Sequence, residues 1–270
     1  MTAPPPVPLL RPDWPAPPGV QAAMSTRDGG VSAKPWQSLN LGAAVGDDAL
    51  AVAQNRARFA AALGARPYWL RQVHGVQVRK LGAVQPRRPG KPDLPNQPGE
   101  PDEPADAAWT DEPGIACTVQ VADCLPVLFA ARHGGAVAAA HAGWRGLAAG
   151  VLEATLQALQ RGAGVAPADV VAWLGPCIGA RQFEVGEDVV RAFAEPADAR
   201  SFVPRSRADG SARWLADLQQ LAQQRLLRAG VGSVSVLPLC TVEDGSRFFS
   251  FRRDSATGPT GRMAAANFLC

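Results

Sequence analysis

Histidine is scarce in this chain: three residues in 270, at positions 74, 133 and 141. A strong charge bias is also lacking. There are 27 Lys and Arg against 24 Asp and Glu, a net charge of +3. That excludes the basic surface of a general nucleic-acid binder but leaves room for arginines that hold a small anion. Long apolar runs are missing too. The longest uncharged stretch, residues 229–242, contains Gly and Pro and is too short to span a bilayer. The opening "MTAPPPVPLLRPD" has neither a basic segment nor a continuous apolar one, so no secretory leader is expected. The cysteines, at 117, 124, 177, 240 and 270, are odd in number and widely spread. They read as free thiols of a protein in the reducing cytoplasm.

What the chain does have is apolar mass: 47% of it is hydrophobic, enough for a substantial core. Residues 1–18 hold eight prolines and read as an extended, poorly ordered lead-in. "GDDALAVAQNRARFAAALG" (46–64) predicts a helix capped by Asp47 and closed by Gly64, with Leu50, Ala53, Ala57, Ala60 and Leu63 on its apolar face. Further helices are expected over 146–160, 184–195 and 212–230. Strands are expected over 67–75, 76–81, 114–124, 125–131, 135–141, 170–175, 233–239, 247–252 and 262–269. The alternation has no βαβ period, which predicts a mixed α/β (α+β) fold in one domain spanning 19–270. One segment stands apart. Between 85 and 104, prolines recur at every third position from 86 to 104, the period of a polyproline II helix. It reads as a stiff, solvated insertion between two strands, and no protein partner is assigned to it.

Chemistry concentrates at a few positions. His74 in "RQVHG" and His141 in "AAAHAGWRG" each stand at an expected strand end with glycine close behind, and Cys124 in "VADCLP" stands at another. His133, in "ARHGG", reads as a turn residue without a role. A thiolate with two imidazoles has three uses: a zinc site with an open position, a Cys–His nucleophile, or the His₂Cys set of blue copper. The separations in sequence match no short metal-finger spacing, so all three stay open on spacing alone.

The segments "STRDGGVS" (25–32), "SLNLG" (38–42), "VGDD" (45–48), "QNR" (54–56), "RQVHG", "ADCLPVLF" (122–129), "AAAHAGWRG", "GPCIG" (175–179), "FEVG" (183–186), "CT" (240–241), "FFSFRRD" (248–254) and "GR" (261–262) follow one another in order. With them the chain resembles the laccase-domain family, labelled multicopper polyphenol oxidase and also described as purine nucleoside phosphorylases. The resemblance implies a four-layer α-β-β-α sandwich and a zinc held by His74, Cys124 and His141. It also implies phosphorolysis of adenosine, inosine, guanosine and methylthioadenosine, with hydrolytic deamination of adenosine beside it. The insertion at 85–104 lies between the motifs and is the main departure from the family.

The residue count tests the two labels. A multicopper oxidase needs a His₂Cys copper and further coppers bound mainly by imidazole, and three histidines cannot supply both. A single copper in place of zinc, with weak phenol oxidation, remains an alternative. For nucleoside chemistry, Asp123 beside Cys124 is the candidate acid–base partner. Arg71, Arg145, Arg27, Arg252 and Arg253 are candidate phosphate donors, since guanidinium forks match phosphate oxygens. Gln72 is a candidate substrate contact, although strand alternation turns it away from Arg71. Trp144 is placed to stack on a purine or to anchor a turn. Cytosolic hydrolysis of an amide bond, as in a peptidoglycan precursor, and a metal-binding module without turnover are the competing classes.

Overall fold

The computed structural model describes residues 6–82, 103–193, 196–207 and 209–270. In chain order the elements begin with β1 (Leu9–Leu10), β2 (Val20–Ser25), α1 (Ala49–Leu63), β3 (Arg66–Tyr68), β4 (Val78–Lys80) and β5 (Ala107–Thr110). They continue with β6 (Ile115–Val121), β7 (Leu125–Ala131), β8 (Val137–Ala142), α2 (Trp144–Ala149), α3 (Val151–Ala163) and β9 (Val170–Leu174). The last third holds β10 (Glu184–Val185), α4 (Glu187–Ala192), β11 (Phe202–Ser206), β12 (Ala212–Ala216), α5 (Leu218–Arg228), β13 (Ser233–Val236), α6 (Phe251–Asp254) and β14 (Met263–Leu269). Among the described residues no helix is long and apolar enough to cross a membrane.

Side-chain alternation builds the layers. Two mixed sheets, ordered β1-β2-β14-β6-β3 and β13-β9-β7-β8-β5-β4, lie face to face. Val119, Val121, Met263 and Ala265 from the first meet Leu128, Ala130, Val137, Ala139 and Trp173 from the second in one buried cluster. The alternate residues of the same strands point outward. Ala264, Ala266 and Phe268 of β14 receive Phe59 and Leu63 of α1. Val127, Phe129, Ala138 and Ala140 receive Leu152, Leu156, Leu159, Leu221 and Leu226 of α3 and α5. The order is therefore helix, sheet, sheet, helix, the expected four layers. Burying Phe59 completely contributes about 2–3 kcal/mol. Gly162 shows how closely α3 sits on its sheet, since a Cβ there would come within 2.0 Å of the Trp109 ring.

Several local expectations are corrected. Part of the proline-rich lead-in joins the fold, because Leu9 and Leu10 pair with Ser25 and Met24 along the sheet edge. The cap of α1 is Asp48, not Asp47, whose carboxylate is already occupied by Ser32 and Asn40. The buried face of α1 is Val52, Asn55, Arg56, Phe59 and Leu63, while Leu50 is 73% exposed. Asn55 and Arg56 tolerate burial because they bond the carbonyls of Ser38, Asn40 and Leu41.

The expected helix over 146–160 is two helices parted at Gly150, where φ is 98°. The helices expected over 184–195 and 212–230 each begin with a strand, as β10 and β12 join β11 in a small third sheet. Residues 247–252 form no strand. Phe248 and Phe249 sink into the core, and α6 starts at Phe251. Of the insertion over 85–104, residues 85–102 lie outside the described residues. Pro104 pairs with Arg71 in a parallel bridge.

Candidate metal centre

β7 and β8 bring two of the three chemical residues together by register. Pro126 lies opposite His141 and Leu125 opposite Ala142, so the register continued one step further sets Cys124 opposite Gly143. Cys124 and His141 share the alternation parity of Ala130 and Ala139, and both look into the space between the sheets. His74 arrives from the β3–β4 loop, not from the strand end expected. His74, Cys124 and His141 form one group whose ligand atoms all lie within 4.8 Å of one another. Cys124 Sγ is 3.7 Å from His74 Nε2, and the two imidazole centroids are 4.8 Å apart. Among the described residues no second group of three such side chains assembles.

The organising residue is one that the sequence reading passed over. Asp106, fully buried, stands opposite His141 in the β5–β8 register and accepts from its Nδ1 at 2.8 Å. The same carboxylate accepts the backbone N–H groups of Val73, His74 and Gly75 at 3.1, 2.9 and 2.7 Å. Burial opposes its charge, but the His141 contact and these N–H groups outweigh burial and hold its pKa below the ordinary value. Asp106 thus fixes the Nδ1–H tautomer of His141, leaving Nε2 to face the thiol, and shapes the loop that carries His74. Its sequence signal was modest: a lone carboxylate at the head of the apolar strand "AAWT".

The local backbone is held in unusual conformations. Among the described residues only two non-glycines have positive φ: His74 at 60° and Asp123 at 87°. Such positions cost of order 1–3 kcal/mol each and persist where surrounding bonds over-determine them. The glycines of "HAGWRG" answer to the same crowding. A Cβ on Gly143 would lie 2.6 Å from His74 Cδ2 and 3.0 Å from Cys124 Sγ. One on Gly146 would lie 2.9 Å from the Gly75 carbonyl. Glycine lets α2 pass directly against the cluster.

Charge within the cluster favours a thiolate. Burial raises the pKa of Cys124, but His141 and His74 outweigh it and bring it to about 6. Burial likewise lowers the pKa of His141, and the Cys124 thiolate with Asp106 carries it up to about 9. Two imidazoles and a thiolate, one imidazole backed by a carboxylate, fit a zinc or copper ion with a position left open.

The remaining candidates divide. Asp123 is buried, and its carboxylate accepts from Thr241 Oγ1 at 2.6 Å, Ser250 Oγ at 3.0 Å and the Arg252 N–H at 2.6 Å. These bonds make it a brace for the turn before Cys124. Arg27 donates to the carbonyls of Gln37 and Gly245 and lies over Phe249. Arg252 holds the carbonyls of Gln182 and Glu184, and Arg253 those of Thr241, Val242 and Phe248. Gln72 is locked onto both backbone groups of Gln120. Arg71 and Arg145 are exposed, and neither guanidinium has a hydrogen-bond or ion-pair partner among the described residues. Arg145 lies 4.3 Å over Trp144, which packs against the helix-side core. His133 sits on the surface 3.8 Å from Asp169.

Four layers with a His₂Cys cluster at the rim between two sheets define a mixed α/β protein with a candidate site for one metal ion. The chain belongs to the family described as multi-copper polyphenol oxidoreductase laccase, whose sequence model matches residues 21–269. It is 50% identical to the purine nucleoside phosphorylase PA4543 of Pseudomonas aeruginosa, over 92% of this chain and 94% of that one. It is 46% identical to the purine nucleoside phosphorylase YfiH of Escherichia coli, over 97% and 98%. Among solved structures, the Neisseria meningitidis protein NMB0706 is 44% identical and superposes with a TM-score of 0.84, covering 97% of this chain and 98% of that one.

Proposed function

We propose that this protein is a zinc-dependent purine nucleoside phosphorylase of the cytoplasm, acting on adenosine, inosine, guanosine and methylthioadenosine, with adenosine deamination as a second activity. The observation that carries the reading is the His74–Cys124–His141 cluster braced by Asp106, in a chain whose relatives bear the phosphorylase name. His74, Cys124 and His141 are the residues that would hold the metal. A divalent cation there supplies Lewis acidity beside the reacting groups.

The chain's own residues set the rest of the chemistry. Asp106 keeps the proton of His141 on Nδ1, and Asp123 holds the turn that presents Cys124. Arg71 and Arg145, whose guanidinium groups meet no acceptor among the described residues, are available to phosphate. Phosphorolysis joins phosphate to C1′ of the ribose and releases the free base, so the anion and the sugar must meet at one mouth.

The test is a nucleoside screen with and without inorganic phosphate, read by free base and ribose 1-phosphate. Release that needs phosphate and is lost on chelation upholds the reading. Hydrolysis of an amide substrate indifferent to phosphate replaces it with the hydrolase class. Metal analysis of the active protein distinguishes zinc from copper.

A further inference from the structure

Two motifs, "SLNLG" and "GR", take no part in the metal cluster, and the structure joins them. Buried Asn40 accepts the N–H groups of both Gly42 and Arg262 on its Oδ1, each at 2.9 Å. Its Nδ2 bonds the Gly42 carbonyl and Asp47. The stem of Arg262 then lies across Gly42 so closely that a Cβ on that glycine would be 2.7 Å from Arg262 Cγ. At the far end, Nη1 donates to the carbonyls of Thr260 and Gly261 at 3.1 and 3.0 Å. The guanidinium is fixed at both ends, and its Nε and Nη2 find no acceptor among the described residues. That free edge is the side of the fork that grips two oxygens at once.

We infer that Arg262 is an oxyanion anchor of the active site, whose Nε–Nη2 edge takes inorganic phosphate beside Cys124. Arg27, Arg252 and Arg253 sit in the same neighbourhood but are engaged by backbone carbonyls. Met263 pairs with Val121 across β14 and β6, so Arg262 continues opposite Ala122, one residue before Asp123 and two before Cys124. Among the described residues neither side chain hydrogen-bonds or ion-pairs with the guanidinium, and the Asp123 carboxylate is taken up by Thr241, Ser250 and the Arg252 N–H. Burial accordingly presses the Arg262 pKa below its ordinary value. A half-buried cation without a matched anion is stabilised by a ligand that brings one.

The inference rests on the phosphorylase reading for the identity of its anion, so the experiment separates the two. Arg262→Lys keeps the charge and removes the fork, and Gly42→Ala pushes on the stem from the other side. Both are prepared zinc-loaded, with metal content checked against the parent. The phosphate KM for inosine phosphorolysis should rise about tenfold or more in Arg262→Lys, with the inosine KM within about twofold. Gly42→Ala should move the phosphate KM in the same direction. Independently of turnover, 10 mM inorganic phosphate should raise the melting temperature of the parent over a chloride control of equal ionic strength, and this rise should vanish in Arg262→Lys. If no nucleoside yields ribose 1-phosphate but the phosphate-dependent rise still requires Arg262, the function reading fails and the anion site stands. An Arg262→Lys protein with parental phosphate KM and parental melting response overturns the inference.

Discussion

Asp106 and His141 are tied twice: the His141 N–H donates to the Asp106 carbonyl at 2.7 Å, and its Nδ1 meets the Asp106 carboxylate at 2.8 Å. One residue therefore ties both the backbone and the imidazole of a candidate metal ligand. Asp106→Asn keeps the shape but turns an amide group toward N–H groups that need acceptors. Metal affinity should fall about 10–100-fold, measured by competition with a chromogenic chelator. The metal-free variant should also lose about 1–3 kcal/mol, the cost of leaving buried donors unsatisfied. Because the Asp106 pKa is depressed by folding, its stabilisation is present above the ordinary value near 4 and is lost as pH falls through the lower folded value. Asp106→Asn should flatten that acid limb, and parental affinity in the variant would remove Asp106 from the site.

Gly143→Ala tests the crowding around the cluster without straining the backbone. Gly143 has φ −65° and ψ 157°, which alanine adopts freely. The added methyl meets His74 and Cys124 instead. Metal affinity should drop at least about tenfold while the melting curve of the metal-free protein stays close to the parent's. Stoichiometric metal at parental affinity would show that the cluster has room to spare.

Thiol reactivity reads the charge state directly. In metal-free protein Cys124 should alkylate with iodoacetamide at a rate that rises through about pH 6 and is level above pH 7, because the thiolate is the nucleophile. Burial pushes Cys117 and Cys177 far in the other direction, so peptide mapping should leave both unmodified. Zinc should protect Cys124. Cys124→Ser, His74→Ala and His141→Ala should each lose metal and activity to a similar extent, without adding in combination. Rapid alkylation of the metal-loaded, active protein would favour a free nucleophile.

Deletion of 87–102 should leave phosphate-dependent turnover intact and shift the melting temperature by no more than about 2 °C, because the segment lacks the apolar periodicity needed to join a core. The cut spares Pro104, which bridges to Arg71. Loss of activity would show that the proline-periodic stretch contributes to the site.

Much of the architecture was legible because the strands obey strict alternation. In "AVAAAHA" the odd positions enter one core and the even positions the other, and small side chains serve both faces. His74, Cys124 and His141 could be singled out for their chemistry, but their meeting required the β7–β8 register and the loop bend at His74. Asp106 was hidden because its role comes from pairing across strands. The arginines near the motifs looked alike in sequence. Only their acceptors separate Arg27 and Arg253, whose donors are engaged throughout the guanidinium, from Arg71, Arg145 and the Nε–Nη2 edge of Arg262, which meet no acceptor among the described residues. The buried face of α1 escaped notice because Asn55 and Arg56 do not register as core residues until their carbonyl partners are in place.

Three consecutive backbone amides, those of Val73, His74 and Gly75, end on a single carboxylate. Their shared acceptor couples them, so loss of the Asp106 carboxylate would release all three at once. The side chains of this stretch add little grip, since Val73 is 49% exposed and His74 is also on the surface. A cation bound by His74 would therefore be linked to these amides: it would help to keep them closed, and their opening would withdraw His74 from it.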